Sequence, residues 1–304
     1  MTSLDFRSLL KQEKALLRTE LAQRTQPKPP AVQPDHYSAA ARRPSYPSPR
    51  RRDEEGEVAM EEPLPCFAKF ARQPLLDLDK ASELGKTPSI FYVPDFISEG
   101  VEQQLLAATY CKDVGAGDSS EWVTLRSRRL KCWGGQPGET FIPDPLPSWV
   151  EELCESLVVR GVFSKENRPN HVLLNEYQPG QGILPHTDGP FYEPRTATLS
   201  LGSDGMMHFS PRVETSRIGR PGVETRPQAS LVLRARALVV FADDAYSQLL
   251  HSIDAVREET VGGASGGDSA PVLNAEMAEA PEGTVLRRKV RVSLTFRRVR
   301  AGGR

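Results

Sequence analysis

Cysteine is scarce in this chain of 304 residues: Cys66, Cys111, Cys132 and Cys154 lie far apart and include no CxxC pair. That distribution argues against a disulfide framework or a cysteine-built zinc site, and fits a reducing intracellular compartment. Long apolar runs are also missing, so no segment reads as spanning a bilayer. Charged residues recur through Met1–Arg24 and leave no apolar stretch of the kind a secretory signal needs. Charge imbalance is lacking too, with a net charge of −1. A polyanionic partner would therefore have to be met by a local patch and not by bulk attraction. What is present is 38% hydrophobic residues, enough for one substantial core. The expectation is a soluble monomer.

The chain divides by composition. Residues 1–24 read as an amphipathic helix, with Phe6, Leu10, Leu17 and Leu21 near one face. It is either an isolated helix on a tail or a docking element for a protein partner. Residues 25–65 carry recurring prolines, the basic run Arg50-Arg51-Arg52 and an acidic run from Asp53 to Glu62. Such a segment buries too little apolar surface to offset ordering entropy and is expected to be disordered. A folded domain over 66–300 follows.

Within that domain Ile90-Phe91-Tyr92-Val93 is strand-like. Ser98 is placed to cap a helix that buries Val101, Leu105 and Leu106, and a second helix is expected over Ser148–Val159. After Pro169 the pattern changes to strands: His171–Tyr177, Ala197–Leu201, Met206–Ser210, Ser230–Leu233, Ala237–Phe241, Ser247–Ile253 and Val290–Val299. Short strands in series after helices predict an α+β, mainly β fold, a sandwich or jelly roll flanked by N-terminal helices. Two insertions interrupt it. Arg212–Gln228 is basic and turn-rich, and 261–283 is rich in small residues and reads as a flexible excursion.

Three side chains suggest a metal. His186 and Asp188 are two apart, so in extended backbone they point the same way. A third ligand from a distant strand would complete a two-histidine, one-carboxylate set, which leaves coordination positions open as in non-haem Fe(II) oxygenases. His251, in Leu249-Leu250-His251-Ser252-Ile253, is the first candidate. His208, central in Met206-Met207-His208-Phe209, is its rival, and each would look the same as a satisfied core histidine. Near the C-terminus Arg291, Ser293, Thr295 and Arg297 share one strand face while Val292, Leu294 and Phe296 share the other. Two guanidinium groups and two hydroxyls on one face suit a dicarboxylate, although solvated edge arginines would give the same pattern. Asn175 and Tyr177 likewise share a face and offer an amide and a phenol.

Taken in order, Asn-x-Tyr, His-x-Asp, a distant His and Arg-x5-Arg resemble the AlkB-type Fe(II)/2-oxoglutarate dioxygenases. Further stretches carry the same resemblance: Trp122 to Gly135, His171 to Gly189, Thr198 to Ser203 and Arg291 to Val299. It covers roughly residues 88–300, with gaps at the two insertions. It implies a double-stranded β-helix core, with Fe(II) held by His186, Asp188 and His251. It also implies 2-oxoglutarate held by Asn175, Tyr177, Arg291, Ser293 and Arg297, with Arg291 foremost, and O2 as second co-substrate. The segment 117–135 takes the place of a lid, in which Trp122, Arg126, Arg128, Arg129 and Trp133 would stack a flipped base and touch phosphates. The reaction so implied is oxidative demethylation of a DNA or RNA base. A nucleic-acid reader with little turnover and a protein hydroxylase or demethylase are the alternatives. Nuclear and cytoplasmic residence is the accompanying expectation, from the family and the arginine run.

Overall fold

The computed structural model describes residues 89–111, 121–212, 227–263 and 270–300, together with positions 11 and 15, both helical. The expected amphipathic helix otherwise, the proline-rich segment and most of the basic insertion lie outside the described residues.

Strand β1 (Ile90–Val93) leads through Ser98 into helix α1 (Glu99–Tyr110). The Ser98 side chain accepts from the Val101 N–H, as a residue with a free hydroxyl before an apolar stripe should. A hairpin of β2 (Val123–Thr124) and β3 (Arg129–Trp133) precedes helix α2 (Ser148–Val159). Then come β4 (His171–Tyr177), β5 (Ile183–His186), β6 (Tyr192–Leu201), β7 (Gly205–Pro211), β8 (Ala229–Leu233) and β9 (Leu238–Ala242). A short helix α3 (Asp243–Gln248), β10 (Leu249–Ile253), β11 (Glu258–Thr260), β12 (Val285–Arg287) and β13 (Arg291–Val299) complete the order.

The strands form a major sheet of seven, in the order β1-β9-β6-β13-β4-β3-β2, and a minor sheet of four, β5-β10-β7-β8. Every neighbouring pair in both sheets is antiparallel. Side-chain alternation explains the layering. On β13 the apolar set Val292, Leu294 and Phe296 enters one core cluster with Leu105 of α1 and Trp149, Leu153 and Leu157 of α2. Each such burial contributes roughly 1.5–3 kcal/mol. The other face of the major sheet meets the minor sheet in a second cluster, where Tyr92, Val239 and Phe241 lie with Met207, Phe209, Leu231 and Ile253. Helices on one side and a second antiparallel sheet on the other make this the jelly-roll architecture. Gly134 ends β3 with φ +96°, where a Cβ would lie 2.0 Å from the Asn170 carbonyl oxygen, so only glycine fits this close approach.

Two expectations are corrected. Residues 247 and 248 belong to α3 and not to a strand, because the polar run from Asp243 to Gln248 has no apolar alternation to hold it in a sheet. Its helical turn instead lets the Tyr246 hydroxyl donate to the Gly189 carbonyl at 2.9 Å. The small-residue insertion is not a free excursion over 270–283. Asn274 accepts from the Val232 N–H and donates to the Val232 carbonyl, both at 2.8 Å. Ala278 and Ala280 are buried in the second core cluster, so this segment covers the edge of β8.

Candidate metal centre and co-substrate cavity

His186 ends β5 and pairs directly with His251 in the middle of β10. Opposed residues in an antiparallel ladder project to the same side, and the two imidazole centroids are 4.3 Å apart. Asp188 follows His186 by two residues, and its Oδ1 is 4.0 Å from His251 Nε2. One ligand atom from each of the three lies within 4.8 Å of the others, the sole such metal-competent group among the described residues.

Protonation suits the same use. His186 Nδ1 is 2.8 Å from the Leu184 carbonyl oxygen. A carbonyl only accepts, so Nδ1 carries the proton and Nε2 keeps its lone pair. Burial first, and then the neighbouring His251, holds His186 well below the usual imidazole range, and burial lowers His251 too. Burial alone would raise the Asp188 carboxyl. The guanidinium of Arg297 and the two imidazoles outweigh it and hold Asp188 at about 2. Asp188 Oδ1 accepts from Arg297 Nη1 and Oδ2 from the Thr196 hydroxyl, each at 2.7 Å. Two neutral imidazoles and an oriented carboxylate form a donor set that fits a divalent iron.

His208 does not join them. It lies on β7 next to Met207, which lines the central cavity, and so projects from the opposite face. Its Nδ1 is 2.9 Å from the Ser230 hydroxyl, and its Nε2 is 3.7 Å from Asp254. His208→Ala is expected to retain one iron per chain by metal analysis, and a loss of iron in that variant would reassign the third ligand.

The cavity beside the triad is lined on the major-sheet side by Asn175 and Tyr177 of β4 and by Arg291, Ser293 and Thr295 of β13. The register accounts for this, since Arg291 opposes Tyr177 and Ser293 opposes Asn175. Arg291 is 1% exposed. Its Nη2 donates to Ser200 Oγ at 2.8 Å, while among the described residues nothing accepts from its Nε or Nη1. Burial brings Arg291 down to about 10, so it stays cationic at neutral pH. A buried cation with open donors is costly unless an anion joins it. Arg297, expected from the sequence to share the co-substrate, is not among the residues that line the cavity: it is bound to Asp188 and stacked 4.3 Å over the Tyr192 ring. The two arginines thus divide, one lining the cavity and one against a candidate metal ligand. Sequence reasoning missed Thr196 and Thr198, which also line the cavity. The alternation Thr196-Ala197-Thr198-Leu199-Ser200-Leu201 was the available signal.

The hairpin residues separate in a way their sequence did not show. Trp133 is 0% exposed and packs edge-on against Trp149 at 5.3 Å. It is a core residue of the helical side and not a stacking platform. Arg128 is 1% exposed and turned inward, with Nε donating to Asn175 Oδ1 at 3.0 Å, so it is no surface phosphate contact. Arg129 is committed to Glu176, with Nε–Oε1 at 2.8 Å and Nη2–Oε2 at 2.7 Å. It also lies 4.2 Å from the Trp122 ring centre. Trp122 is half-buried and Arg126 exposed.

A family model described as the 2OG-Fe(II) oxygenase superfamily matches residues 116–297. A zebrafish (Danio rerio) protein, the "Probable RNA/DNA demethylase ALKBH6", is 36% identical over 227 residues, 74% of this chain and 92% of that one. The chain belongs to the AlkB-type 2OG-Fe(II) oxygenases. A second relative of this AlkB-type chain is the Xenopus tropicalis "tRNA (carboxymethyluridine(34)-5-O)-methyltransferase alkbh8". It is 26% identical over 81% of this chain, which spans only 36% of that protein. Among solved structures, OsALKBH1 superposes with a TM-score of 0.44 at 14% identity, over 70% of this chain and 100% of that one. As an AlkB-type oxygenase, the protein is a dioxygenase that uses Fe(II), 2-oxoglutarate and O2.

Proposed function

We propose that this dioxygenase oxidatively demethylates a nucleic-acid base, with His186, Asp188 and His251 holding Fe(II) and Arg291 receiving the distal carboxylate of 2-oxoglutarate. The observation that carries the reading is one cavity lined both by a His/Asp/His donor set and by a buried, incompletely bonded guanidinium. A molecule bearing an anion at one end and metal-binding oxygens at the other would satisfy both. Asn175, Tyr177 and Ser293 supply polar groups along the way.

Bound iron, 2-oxoglutarate and O2 supply the power to hydroxylate a C–H bond, and an N-methyl group so hydroxylated leaves as formaldehyde. The chain's own part is to orient and to exclude water. Thr196 and Arg297 hold the Asp188 carboxylate in one rotamer, the Leu184 carbonyl sets the His186 tautomer, and Ile183, Met207 and Ile253 close the cavity walls. A nucleic-acid substrate is supported by the names of the relatives and by the basic and aromatic character of the hairpin, where Arg126 is exposed and Trp122 half-buried.

The test is a screen of methylated DNA, RNA and peptide for succinate and formaldehyde release. Formaldehyde from a methylated oligonucleotide is the expected result. Tight oligonucleotide binding without succinate would make the protein a reader, and turnover stimulated by peptide alone would replace the substrate class.

A further inference from the structure

We propose that Arg128 is a positioning residue for the co-substrate: it fixes the Asn175 amide so that the N–H2 edge is left for the cavity. This rests on the reading of that cavity as the 2-oxoglutarate site.

The argument begins with what a guanidinium lacks. It has donors and no acceptor, whereas an amide side chain presents an acceptor on one edge and donors on the other. Arg128 Nε lies 3.0 Å from Asn175 Oδ1, so the amide must offer its oxygen to Arg128. Its nitrogen then remains for the cavity that Asn175 lines. Rotated the other way, the amide would set an acceptor against a carboxylate and two sets of donors against each other. A carboxylate ligand is accepted in only one of these orientations.

Holding the hairpin in place does not by itself explain a cation buried there. The ladder already pairs Leu130 with Asn175 and Arg129 with Glu176. On the outer face Arg129 grips Glu176 through two hydrogen bonds, and the Tyr110 hydroxyl donates to the same carboxylate at 2.7 Å. Successive arginines thus hold successive residues of β4, the outer one by an ion pair and the inner one through a neutral amide beside the cavity. A guanidinium that can only donate, set against Asn175 Oδ1, defines which edge of the amide is left for the cavity. Because Arg128 also closes the hairpin turn, its carbonyl accepting from the Leu125 N–H at 2.8 Å, co-substrate binding and the hairpin are mechanically linked.

The experiment uses the full chain loaded with Mn(II) in place of iron, without O2, and titrates 2-oxoglutarate by calorimetry. Arg128→Gln, whose amide can accept as well as donate, should weaken binding about tenfold. Arg128→Lys, still donor-only, should stay within about threefold of the unaltered chain. Asn175→Ala should itself weaken binding about tenfold, and adding Arg128→Gln to it should change nothing further. Arg129→Gln should lower the melting temperature and leave the affinity alone. An unchanged affinity in Arg128→Gln, or a full further loss on the Asn175→Ala background, overturns the inference. Should Arg128→Gln fail to fold, hydrogen exchange on the unaltered chain decides. Slowing at residues 125–130 on adding 2-oxoglutarate is expected, and no slowing overturns the link. Failure of the unaltered chain to bind 2-oxoglutarate at all would instead overturn the reading of the cavity.

Discussion

Asp188→Ala is expected to lose the iron and to destabilise the apoprotein by about 3–5 kcal/mol, the usual cost of removing one partner from a buried ion pair. Two roles meet on this carboxylate. It is one of three candidate ligands, and it is also the counter-charge of Arg297, which is 0% exposed and donates to Asp188 Oδ1 at 2.7 Å. Alanine removes both at once and leaves a buried guanidinium facing an apolar methyl. His251→Ala separates the roles. It also empties the metal site, but leaves the ion pair between Asp188 and Arg297 in place, so its apoprotein should unfold within about 1–2 kcal/mol of the unaltered chain. Metal analysis and urea denaturation of the metal-free proteins check the pair. An Asp188→Ala apoprotein as stable as that of His251→Ala would show that Arg297 does not need the carboxylate. Asp188→Asn should fall between, because an amide oxygen still accepts from Arg297 or Thr196 but carries no charge.

The dual role of Asp188 marks where the sequence stopped being readable. Period-two alternation placed Arg291, Ser293 and Thr295 on one face of β13 and Val292, Leu294 and Phe296 on the other, because a strand buried on both faces must still sort polar from apolar by parity. Helix α2 was legible to its last residue for a similar reason, since its apolar spacing is local. Pairing between distant strands is not local. Nothing in the vicinity of His251 or His208 says which of them faces His186, and only the β5–β10 ladder decides it. Strand β5 itself was hidden by Pro185, which is tolerated there because β5 is an edge strand with one hydrogen-bonded neighbour. The hairpin misled in the opposite direction. Trp122, Arg128, Arg129 and Trp133 look like one basic-aromatic surface in the sequence. Yet alternation along β3 sends Trp133 into the helical core, and the turn before β3 sends Arg128 inside. Charge on a short strand says little about exposure when a buried acceptor such as Asn175 or Glu176 waits on the adjoining strand.

Arg291→Met should weaken 2-oxoglutarate binding by at least about thirtyfold, in line with the roughly 2–5 kcal/mol lost when one member of a buried charge pair is truncated. Its effect on the metal-free, ligand-free protein should run the other way. In that state Nε and Nη1 are buried without an acceptor among the described residues, and only Nη2 is bonded, to Ser200. Replacing the guanidinium by an apolar side chain of similar length removes a desolvated charge, so the melting temperature should hold or rise. A site that stabilises its ligand at the expense of the free protein has this signature, and a structural arginine does not. Arg300→Ala is the control, since Arg300 is half-buried and has its own partner in Glu193 at 3.7 Å. It should leave affinity and melting temperature nearly unchanged. Arg291→Lys tests geometry apart from charge. An ammonium keeps the cation but cannot hold a carboxylate with two parallel N–H groups, so it should recover part of the lost affinity and not all of it. Equal losses of affinity in Arg291→Met and Arg300→Ala would remove β13 from the co-substrate site. A fall in stability with affinity intact would make Arg291 a core residue whose charge is balanced in some way other than by a ligand.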